Sequence, residues 1–591
     1  MSFTDLQQFT TYLESNGELV RVGCEVDAEL EITEIAQRAL RLGMPALLFE
    51  HVKGSPYPLL INTLASDKRI ELALGVHPDK LGEDLIRFVE RAMPPSPKLL
   101  TTERPMLKRM LNARPRSVSR ALSQQITEQP NLSALPILKS WPEDGGRFIT
   151  LPQVFTVDPV NGKRNVGMYR MHVFDERTTG MHWQIQKGGG FQYFQAEKLN
   201  KPFELAVALG TDPAMLLATI AALPEGLDEA MFAGFLRNKR TEFTHARSIS
   251  INVPANAEFI LEGVVQPRER RIEGPFGDHF GHYSAASEFP VFHLSAVTRR
   301  KNPIYPATVV GIPPMEDKFL GDATQQVLGP LAKLLHSEAK SLWAYYEAGF
   351  HNLLVVAIEE RYQKEAMKTA LGLMGTQQLS LTKCLITVPH TVNPRDFTQV
   401  LRAVRENFDP HFDFMMLPKV PLDTLDFTSF TMNLGSKMII DATRKRRQKE
   451  LKWDAPVIRR GVDELMACDR RIIDVNLVDE TLLLVKVLQD GAHVISSLVK
   501  NPSLEGITLA AAVSADVDIH NRENYIWGVF TRFDCERDVQ FTETTLHGIA
   551  PVCKGMLGID ATWKPGYQKP LVMDESIVKR VDERWDLYWK K

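Results

Sequence analysis

Cysteine is scarce in this chain of 591 residues. The five cysteines are Cys24, Cys384, Cys468, Cys535 and Cys553. They are odd in number, lie far apart and form no CxxC pair, which argues against a disulfide framework and against a thiolate zinc site. Free cysteines of this kind are typical of a reducing compartment, so we predict a cytoplasmic protein.

The chain has no large excess of charge of one sign. Its 70 lysines and arginines are balanced by 73 aspartates and glutamates, which gives a formal net charge of −3. Nucleic-acid-binding proteins usually carry a broad basic field, so we predict no nucleic-acid partner. Two basic stretches, 101–130 and Arg444 to Lys452 (RKRRQKELK), leave an RNA-binding segment as an alternative. A solvated helix, a linker or a subunit contact is the favoured interpretation of both.

A long uninterrupted hydrophobic run is also missing. The most apolar stretch, Leu205 to Pro224, contains Asp212 and Pro213 near its middle, where a charge would be costly in a membrane. We predict instead a buried strand, a break, and a helix that begins at Pro213 with Thr211 or Asp212 as its N-cap. The N-terminus has no signal-peptide pattern, and no transmembrane segment is predicted.

The length predicts several domains. Residues 1–110 alternate helical and strand patterns, as in a small α/β domain. Residues 111–329 are rich in strand patterns with glycine and proline turns, which indicates a β-barrel. Residues 330–465 and 466–591 return to an α/β pattern, so the fold class is mixed α/β and β.

The α/β pattern at the C-terminal end occurs twice. Phe408-Asp409 matches Phe533-Asp534, and Ile440 to Thr443 matches Ile559 to Thr562. Chance similarity of short strand–helix units is the alternative, but four segments recur in the same order. We therefore predict a duplicated domain, called copy one (330–465) and copy two (466–591).

Three clusters in the strand-rich part carry chemical groups. The first is Asn165 to Arg170, followed by MHWQ and the glycine-rich loop Lys187 to Gly190, where a backbone could approach a phosphate. The second is Glu229, an acid in an apolar helical segment. The third is EGPFGDH, in which Glu273 and Asp278 flank a turn. Taken alone, each has an ordinary explanation as a turn or a solvated acid.

Paired carboxylates beside an arginine nevertheless suit general acid catalysis. One carboxylate would fix the arginine, and the other would take a raised pKa and deliver a proton.

Segments across the chain resemble the UbiD family of prenylated-FMN-dependent decarboxylases, in family order. They are LEITEIAQRALRLGMPALLFEHVKG, LPILKSWPEDGG, NVGMYRMHV, VALGTDPA, FAGFLR, VPANAEFILEG, EGPFGDHFGHY and LGSKMIIDAT. The resemblance implies an N-terminal α/β domain, a flavin-reductase-like split β-barrel and a C-terminal α/β domain, here duplicated. It also implies a homodimer or hexamer, and prenylated FMN supplied by a flavin prenyltransferase.

The same resemblance assigns binding residues. Asn165 and Glu229 resemble ligands of a divalent metal, usually Mn²⁺, with K⁺ as a second ion. Gln186 stands where a histidine often supplies a further ligand, so its role as a metal ligand is an open question. The positions that match cofactor contacts are Met168, Tyr169, Arg170, His182, Trp183, Gln184, Lys187, Gly188 and Lys437. Lys554 is interpreted as the shifted counterpart of Lys437 in copy two.

Arg170, Glu273 and Asp278 resemble the catalytic set of the family. By this resemblance Arg170 holds the substrate carboxylate, Glu273 orients Arg170, and Asp278 protonates the carbon after CO₂ leaves a covalent adduct with the prenylated FMN.

The resemblance predicts a nonoxidative, reversible decarboxylase of an aromatic acid, with a role in quinone biosynthesis. The substrate would be 4-hydroxy-3-polyprenylbenzoate or a naphthoate-type acid, and a prenylated substrate would imply peripheral access to a membrane. Long chains with a duplicated C-terminus resemble the menaquinone-route members. The alternative is a flavin-binding, reductase-like protein without decarboxylase activity. Copy one would complete the site with Lys437, and copy two would be structural.

Overall fold

The computed structural model describes residues 2–94, 97, 99–184, 187–223, 226–444 and 453–590. These residues form two compact units. The first contains Met1–Val327 together with Lys569–Lys591, and the second contains Leu328–Gln568. Both units combine helices with β-sheets, so the predicted mixed α/β and β fold is confirmed. Within the described ranges, no helix is long and apolar enough to cross a membrane.

The N-terminal part of the first unit is an α/β layer. Its helices are Leu6–Ser15, Glu31–Arg41, Asp67–Leu74, Pro78–Ala92, Leu99–Thr102 and Arg104–Asn112. A four-stranded sheet contains, in spatial order, Leu19–Val22, Ala46–Phe49, Leu59–Ile61 and Tyr305–Pro306. The basic stretch 101–130 makes structural contacts with the middle of the first unit. Arg109 donates to the carbonyl of Phe235 at 3.2 Å, and Arg116 pairs with Glu242.

The middle of the first unit is a seven-stranded sheet. In spatial order its main path contains Thr178–Gly180, Ser287–Arg299, Phe259–Glu273, Phe203–Leu209, Gln153–Val157 and Arg164–Met168, and Ile126–Glu128 pairs with Ser287–Arg299. Within the described residues no pairing closes this sheet into a barrel. The predicted split barrel therefore takes the form of an open antiparallel sheet.

Shorter elements surround this sheet. The helices are Gly188–Lys198, Pro213–Ile220, Glu229–Arg237 and Glu316–Leu328, with 3₁₀ turns at Leu122–Gln124 and Leu132–Ala134. The short strands are Arg116–Ser117, Phe148–Ile149, Met171–His172, Glu242–His245, Asn252–Pro254, Phe276–Gly277 and Tyr283–Ser284.

The apolar stretch near residue 210 folds as the sequence predicts. Phe203–Leu209 is a strand at the centre of the sheet, with Leu205 and Val207 fully buried. The following helix begins at Pro213, and the Asp212 side chain caps it by accepting from Ala214 N at 3.1 Å. The proline tolerates this first helical position because its missing N–H would have no intrahelical partner there.

The second unit contains two five-stranded sheets with the same strand order. Copy one has Ala339–Ala344, Leu353–Ile358, Cys384–Pro389, Gly435–Asp441 and Phe414–Val420 in spatial order. Copy two has Ile472–Val478, Leu482–Val487, Leu509–Ser514, Ala550–Ala561 and Val539–His547. In each sheet the two outer pairings are antiparallel and the two inner pairings are parallel. The predicted duplication is therefore confirmed.

Helices and 3₁₀ turns connect the strands of the second unit. The helices are Glu365–Leu373, Phe397–Asn407, Pro410–Asp413, Ala455–Cys468, Gly491–Leu498 and Arg522–Phe530. The 3₁₀ turns are Gly329–Leu334, Tyr346–Ala348, Gln377–Leu381 and Pro502–Leu504. Of the basic stretch from Arg444 to Lys452, the alternative RNA-binding segment, residues 445–452 lie outside the described residues.

The matched sequence segments form matching local structures. At the end of the strand Gly435–Asp441 in copy one, the Thr443 hydroxyl donates to Asp441 Oδ1 at 2.6 Å. At the end of the equivalent strand in copy two, the Thr562 hydroxyl donates to Asp560 Oδ1 at the same distance, 2.6 Å.

A lysine accompanies each of these aspartates. Lys364 Nζ lies 2.7 Å from Asp413 and 3.7 Å from Asp441. Lys564 Nζ lies 3.4 Å from both Asp538 and Asp560. The acids correspond between the copies, but the two lysines come from different places in the chain.

The two copies contact each other at corresponding places. Asn352, which precedes the second strand of copy one, donates to the carbonyl of Phe530 at 2.9 Å. Conversely, Glu480, which lies just before the second strand of copy two, pairs with Arg405. Each copy thus places the end of one helix against the same part of the other, as the two subunits of a symmetric dimer do.

The C-terminal helix, Glu575–Tyr588, belongs to the first unit. Arg584 and the Tyr588 hydroxyl both donate to Glu31 Oε1 at 2.7 Å, and Ile577 and Val581 are buried in the core of that unit. The range predicted for copy two, 466–591, therefore includes a tail that packs elsewhere. Its apolar face matches a helix near the other end of the sequence, and local patterns do not reveal such a partner.

Candidate active site

The two acids of EGPFGDH lie on either side of a bend. Glu273 ends the strand Phe259–Glu273, and Gly274 follows with a φ of +91°, in the region that favours glycine. Phe276–Gly277 then pairs with Tyr283–Ser284 as a small hairpin, and Asp278 begins its connecting loop. The bend turns both carboxylates toward Arg170.

Arg170 connects these acids through its guanidinium group. Its Nε donates to Glu273 Oε1 at 3.0 Å, its Nη1 donates to Asp278, and its Nη2 donates to the Ser284 hydroxyl at 2.9 Å. The guanidinium carbon lies 4.7 Å from the ring centroid of Phe276, within cation–π range. The three predicted catalytic residues are therefore brought together.

Glu273 has a second partner. Nδ1 of His182 lies 2.7 Å from Glu273 Oε2, and the carboxylate is fully buried. Burial, followed by the nearby Arg170, lowers the pKa of His182, so the ring is neutral and Nδ1 carries the donated hydrogen. Glu273 is thus held from two sides.

Both carboxylates favour the ionised form in this arrangement. Burial alone would raise the pKa of each, but Arg170 and His182 together outweigh it and lower the pKa of Glu273. Arg170 and His279 together lower the pKa of Asp278 below its usual range. The sequence-based expectation of a raised pKa on the proton donor is therefore wrong for the protein without substrate, because the arginine contacts both acids rather than one.

Asp144 binds the backbone of the hairpin that carries Asp278, formed by Phe276–Gly277 and Tyr283–Ser284. Its carboxylate accepts from Gly277 N at 2.7 Å, Trp141 N at 2.9 Å and Ser140 N at 3.0 Å. Sequence reasoning includes Asp144 only within the segment LPILKSWPEDGG and gives it no role, and it also misses Ser284. The only sequence signal for Asp144 is an acid beside two glycines, which is weak. The position of Ser284 depends on a hairpin register that no motif shows.

Asn165 lies at the glycine-rich loop, and Glu229 binds the backbone of the next residue in the same strand. Glu229 is the first residue of its helix and accepts from Val166 N at 3.1 Å. Burial raises the pKa of Glu229 to about 7. A Cβ atom on Gly188 would lie 2.2 Å from Asn165 Oδ1, so only glycine permits this close approach. Glu229 thus binds the backbone of the residue that follows Asn165, while Gln186 lies outside the described residues.

These donors fit a hard divalent cation only in part. The described residues contain no group of three His, Cys, Asp or Glu side chains placed to hold a metal. Glu229 and the Asn165 amide supply oxygen atoms, which Mn²⁺ and Mg²⁺ accept, but a complete shell needs further oxygen ligands. A phosphate group of a bound cofactor is one chemical source of them.

The helix Gly188–Lys198 offers a place for such a phosphate. It begins with three glycines, and its N-cap, Lys187, makes no side-chain capping bond. Backbone N–H groups and the helix dipole at such an end favour an anion. Gly189 N donates to the Tyr169 hydroxyl at 3.1 Å, and the buried Trp183 Nε1 has no hydrogen-bond partner within the described residues. Met168 and Gln184 are half-buried nearby in sequence.

Lys437 and Lys554 have different surroundings in the second unit. Lys437 is buried, its ammonium donates to the carbonyl of Ser380, and burial lowers its pKa to about 8. Lys554 is exposed and lies 3.4 Å from Glu543. The role predicted for Lys437 at a cofactor phosphate stays a prediction.

The pairing register corrects the proposed counterpart of Lys437. Met438 pairs with Cys384, and Leu557 pairs with Leu509 at the same place in the second sheet. The residue equivalent to Lys437 is therefore Met556, and not Lys554. The interpretation from sequence matches the two lysines by residue type, although Lys437 lies three residues before Ile440 and Lys554 lies five residues before Ile559. The strand of copy two has a left-handed glycine, Gly555, between Lys554 and Met556.

Three family models match the chain. They describe the N-terminal, Rift-related and C-terminal domains of UbiD, 3-octaprenyl-4-hydroxybenzoate carboxy-lyase, and match residues 10–89, 115–313 and 318–442. The last match ends before the sheet of copy two.

Relatives of two lengths are similar to the chain. A component of a 4-hydroxybenzoate decarboxylase of Chlamydia pneumoniae is 35% identical over 594 residues, which is 100% of this chain and 99% of that protein. An uncharacterized protein of Archaeoglobus fulgidus is 44% identical over 476 residues, which is 80% of this chain and 98% of that protein.

Solved structures of decarboxylases are similar as well. The vanillic acid decarboxylase of Sedimentibacter hydroxybenzoicus in its closed form has a TM-score of 0.68 and 26% identity, over 79% of this chain and 99% of that one. The UbiD-class enzyme HmfF of Pelotomaculum thermopropionicum, in complex with FMN, has a TM-score of 0.64 and 28% identity, over 76% and 96%.

The fold, the acid–arginine–acid site and these similarities define a carboxy-lyase. The chain belongs to the UbiD family.

Proposed function

We propose that the protein removes the carboxylate of an aromatic acid without oxidation, using prenylated FMN and a divalent metal such as Mn²⁺. The observation that carries this proposal is the Arg170 guanidinium, which is shared by two buried carboxylates, one of which a substrate carboxylate can replace. It is supported by the names of the similar proteins, which include a 4-hydroxybenzoate decarboxylase and a vanillic acid decarboxylase. HmfF has been solved with FMN and, in an evolved dimeric form, with prenylated FMN.

Prenylated FMN, when bound, would supply an electron sink for the electron pair that CO₂ leaves on the substrate carbon. The start of helix Gly188–Lys198 would hold its phosphate, with Lys187, Tyr169 and Trp183 alongside. Asn165 and Glu229 would hold the metal.

Arg170 would bind the substrate carboxylate in place of Asp278. A carboxylate takes two parallel hydrogen bonds from a guanidinium group, so Nη1 and Nη2 are the nitrogen atoms that suit it. Glu273 would stay on Nε, because Nε is not one of the two nitrogen atoms that the substrate carboxylate takes. Asp278, bound through Nη1 alone among the Arg170 nitrogens, is the partner that the substrate can replace.

This exchange would turn Asp278 into a proton donor. With Arg170 neutralised by the substrate, burial would dominate and raise the pKa of Asp278, which then takes up a proton. When the C–C bond to the carboxylate breaks and CO₂ leaves, Asp278 would give this proton to the ring carbon. Asp278 would then be ionised again and return to Arg170.

The proposed substrate class is a phenolic or naphthoic acid of quinone biosynthesis. The family description, 3-octaprenyl-4-hydroxybenzoate carboxy-lyase, supports the benzoate type, with or without a polyprenyl tail. A flavin prenyltransferase would supply the cofactor, and a prenylated substrate would bring the protein to a membrane surface.

We also propose a structural role for copy two. Met556 replaces the lysine of copy one, and the copies contact each other as two subunits would. Copy two would thereby replace a contact that shorter relatives make between chains, and the whole chain would form a homo-oligomer.

The test identifies the bound ligand and measures the reaction in the same protein. The protein is co-expressed with a flavin prenyltransferase, its ligand is identified by mass spectrometry, and CO₂ release from 4-hydroxybenzoate, 4-hydroxy-3-prenylbenzoate and 1,4-dihydroxy-6-naphthoate is measured. Prenylated FMN with CO₂ release from one of these acids is expected. Plain FMN with reductase activity and no CO₂ release would contradict the proposal.

A further inference from the structure

The C-terminal tail, which begins at Lys569, pairs as a third strand with the catalytic hairpin of Phe276–Gly277 and Tyr283–Ser284. Tyr283 N donates to the carbonyl of Lys569 at 3.0 Å, and Leu571 N donates to the carbonyl of Gly281 at 3.0 Å. Between these bonds, His282 and Pro570 form an antiparallel bridge. Pro570 is tolerated because the position between two such bonds directs its backbone nitrogen away from the hairpin.

The loop held by the tail is the one that carries Asp278. Asp278 N donates to the carbonyl of His282 at 3.1 Å, and Gly281 N donates to the carbonyl of Asp278 at 2.9 Å. His282 is therefore bonded to Asp278 on one edge, while its two neighbours are bonded to the tail on the other. A shift of the tail would be transmitted through a single residue to the backbone of Asp278.

The Leu571 side chain reinforces this contact. It is 3% exposed, and its Cδ2 would lie 2.9 Å from a Cβ atom on Gly277, the residue directly before Asp278. Trp141 Cδ1 would lie 2.2 Å from the same Cβ atom on Gly277. Gly277 is thus enclosed between Leu571 and Trp141, and the backbone that leads into Asp278 has little freedom.

The tail itself is firmly anchored. Leu571 and Met573 are buried while Val572 is 68% exposed, which is the alternation of a strand with one buried face. The following helix, Glu575–Tyr588, buries Ile577, Val581 and Tyr588 in the core of the first unit. The tail therefore has the rigidity that a positioning element requires.

We propose that Lys569–Leu571 positions Asp278 for proton transfer, with Leu571 as the main positioning residue. This inference rests on the proposed function of Asp278. The tail contacts Gly277, Gly281 and Tyr283, which flank Asp278. It would therefore act on Asp278 and not on Arg170, which would bind the substrate carboxylate.

The test compares two buried residues of the tail in the full-length protein loaded with prenylated FMN. Leu571→Ala removes the contact with Gly277, and Ile577→Ala is the matched control, because it removes a buried side chain of the same tail that lies in the helix away from the hairpin. With 4-hydroxybenzoate as the probe, Leu571→Ala should lower kcat about 10–100-fold, since small displacements of catalytic groups cost this much. KM should change by less than about threefold, because Arg170 stays in place.

Two further measurements separate positioning from general damage. Hydrogen–deuterium exchange of the peptide 278–284 should become faster in Leu571→Ala and stay unchanged in Ile577→Ala. Leu571→Met, which conserves volume, should restore most of kcat. If Leu571→Ala does not fold, Leu571→Val takes its place, with a smaller effect of the same kind.

Several outcomes would overturn the inference. They are an equal fall of kcat in Ile577→Ala, an unchanged kcat in Leu571→Ala, or unchanged exchange of the peptide 278–284 in Leu571→Ala. If the wild-type protein releases no CO₂, the proposed function fails instead. The exchange experiment then still decides whether the tail holds the loop of Asp278.

Discussion

Asp278 and Glu273 accept hydrogen bonds from different nitrogen atoms of the same guanidinium group, Nη1 for Asp278 and Nε for Glu273. Both acids are buried, both have a histidine at the other oxygen and both have a lowered pKa, so the nitrogen atom is what distinguishes them. In the proposed mechanism Glu273 would fix Arg170, and Asp278 would be the acid that a substrate releases.

We expect Asp278→Asn to reduce CO₂ release by about 10²–10⁴-fold, the usual cost of losing a general acid. The amide can still accept from Arg170, so the melting temperature and the bound flavin should stay near the wild-type values. Glu288→Gln, which changes an exposed acid on the neighbouring strand, is the control. Decarboxylation by Asp278→Asn at close to the wild-type rate would rule out Asp278 as the proton donor.

Glu229→Gln should lower the affinity for Mn²⁺ at least about tenfold and reduce bound flavin with it, because the proposed metal connects the protein to the cofactor phosphate. The measurement is metal and flavin content after desalting. The control is Asp228→Asn, which changes the adjacent acid but keeps an N-cap side chain on the same helix. Equal losses in both variants would show that Glu229 has no special part in metal binding.

Gly188→Ala should release the metal about as strongly as Asn165→Ala does. A Cβ atom at position 188 would lie 2.2 Å from Asn165 Oδ1, so the Asn165 amide must rotate away from its present place. Metal content by mass spectrometry checks this result. Phe191→Ala, on the exposed side of the same helix, should keep the metal. Full metal content in Gly188→Ala would contradict the assignment of Asn165.

Lys437→Met should lower flavin affinity about 10–100-fold, the cost of losing a hydrogen bond to a charged group, if Lys437 binds the cofactor phosphate. Methionine is the matched replacement, because Met556 occupies the equivalent buried position in copy two. Lys554→Met should leave flavin binding unchanged. Loss of flavin in the Lys554 variant alone would show that copy two serves the site.

Lys437 also predicts a dependence of stability on pH. Burial lowers its pKa to about 8, below the ordinary value of 10.5. Between these two values the unfolded chain holds a proton that the folded protein has lost, so this residue makes the free energy of unfolding rise with pH. The rise is on the order of 3 kcal/mol. Lys437→Met should lack it, and identical pH profiles for the two proteins in urea unfolding would contradict the prediction.

Much of the fold could be predicted because the decisive signals are local. Asp212 and Pro213 interrupt an apolar run and begin a helix, and the structure has this helix. The glycine and proline of EGPFGDH require a bend, so Glu273 and Asp278 could be expected to approach each other. The duplication is visible in the sequence because both copies keep their strand order and their aspartate–threonine turns.

The remaining features depend on pairings that sequence patterns do not show. Chain order assigns the tail to copy two, but its strand pairs with the loop after Asp278. Residue type matches Lys554 to Lys437, whereas the strand register selects Met556. The lowered pKa of Asp278 results from one arginine that contacts two acids, a geometry that no motif specifies.

The aspartate pairs of the two copies keep a nearby lysine, but from different origins. Lys364 stands before a helix with a φ of 68°, and at the corresponding place in copy two, with a φ of 60°, stands Asp490. The cation of copy two is Lys564 instead, which follows the last strand. The two copies therefore share the local balance of charge and not the position of the residue that provides it. In this fold a cation can reach the same pair of aspartates from either of two positions in the chain.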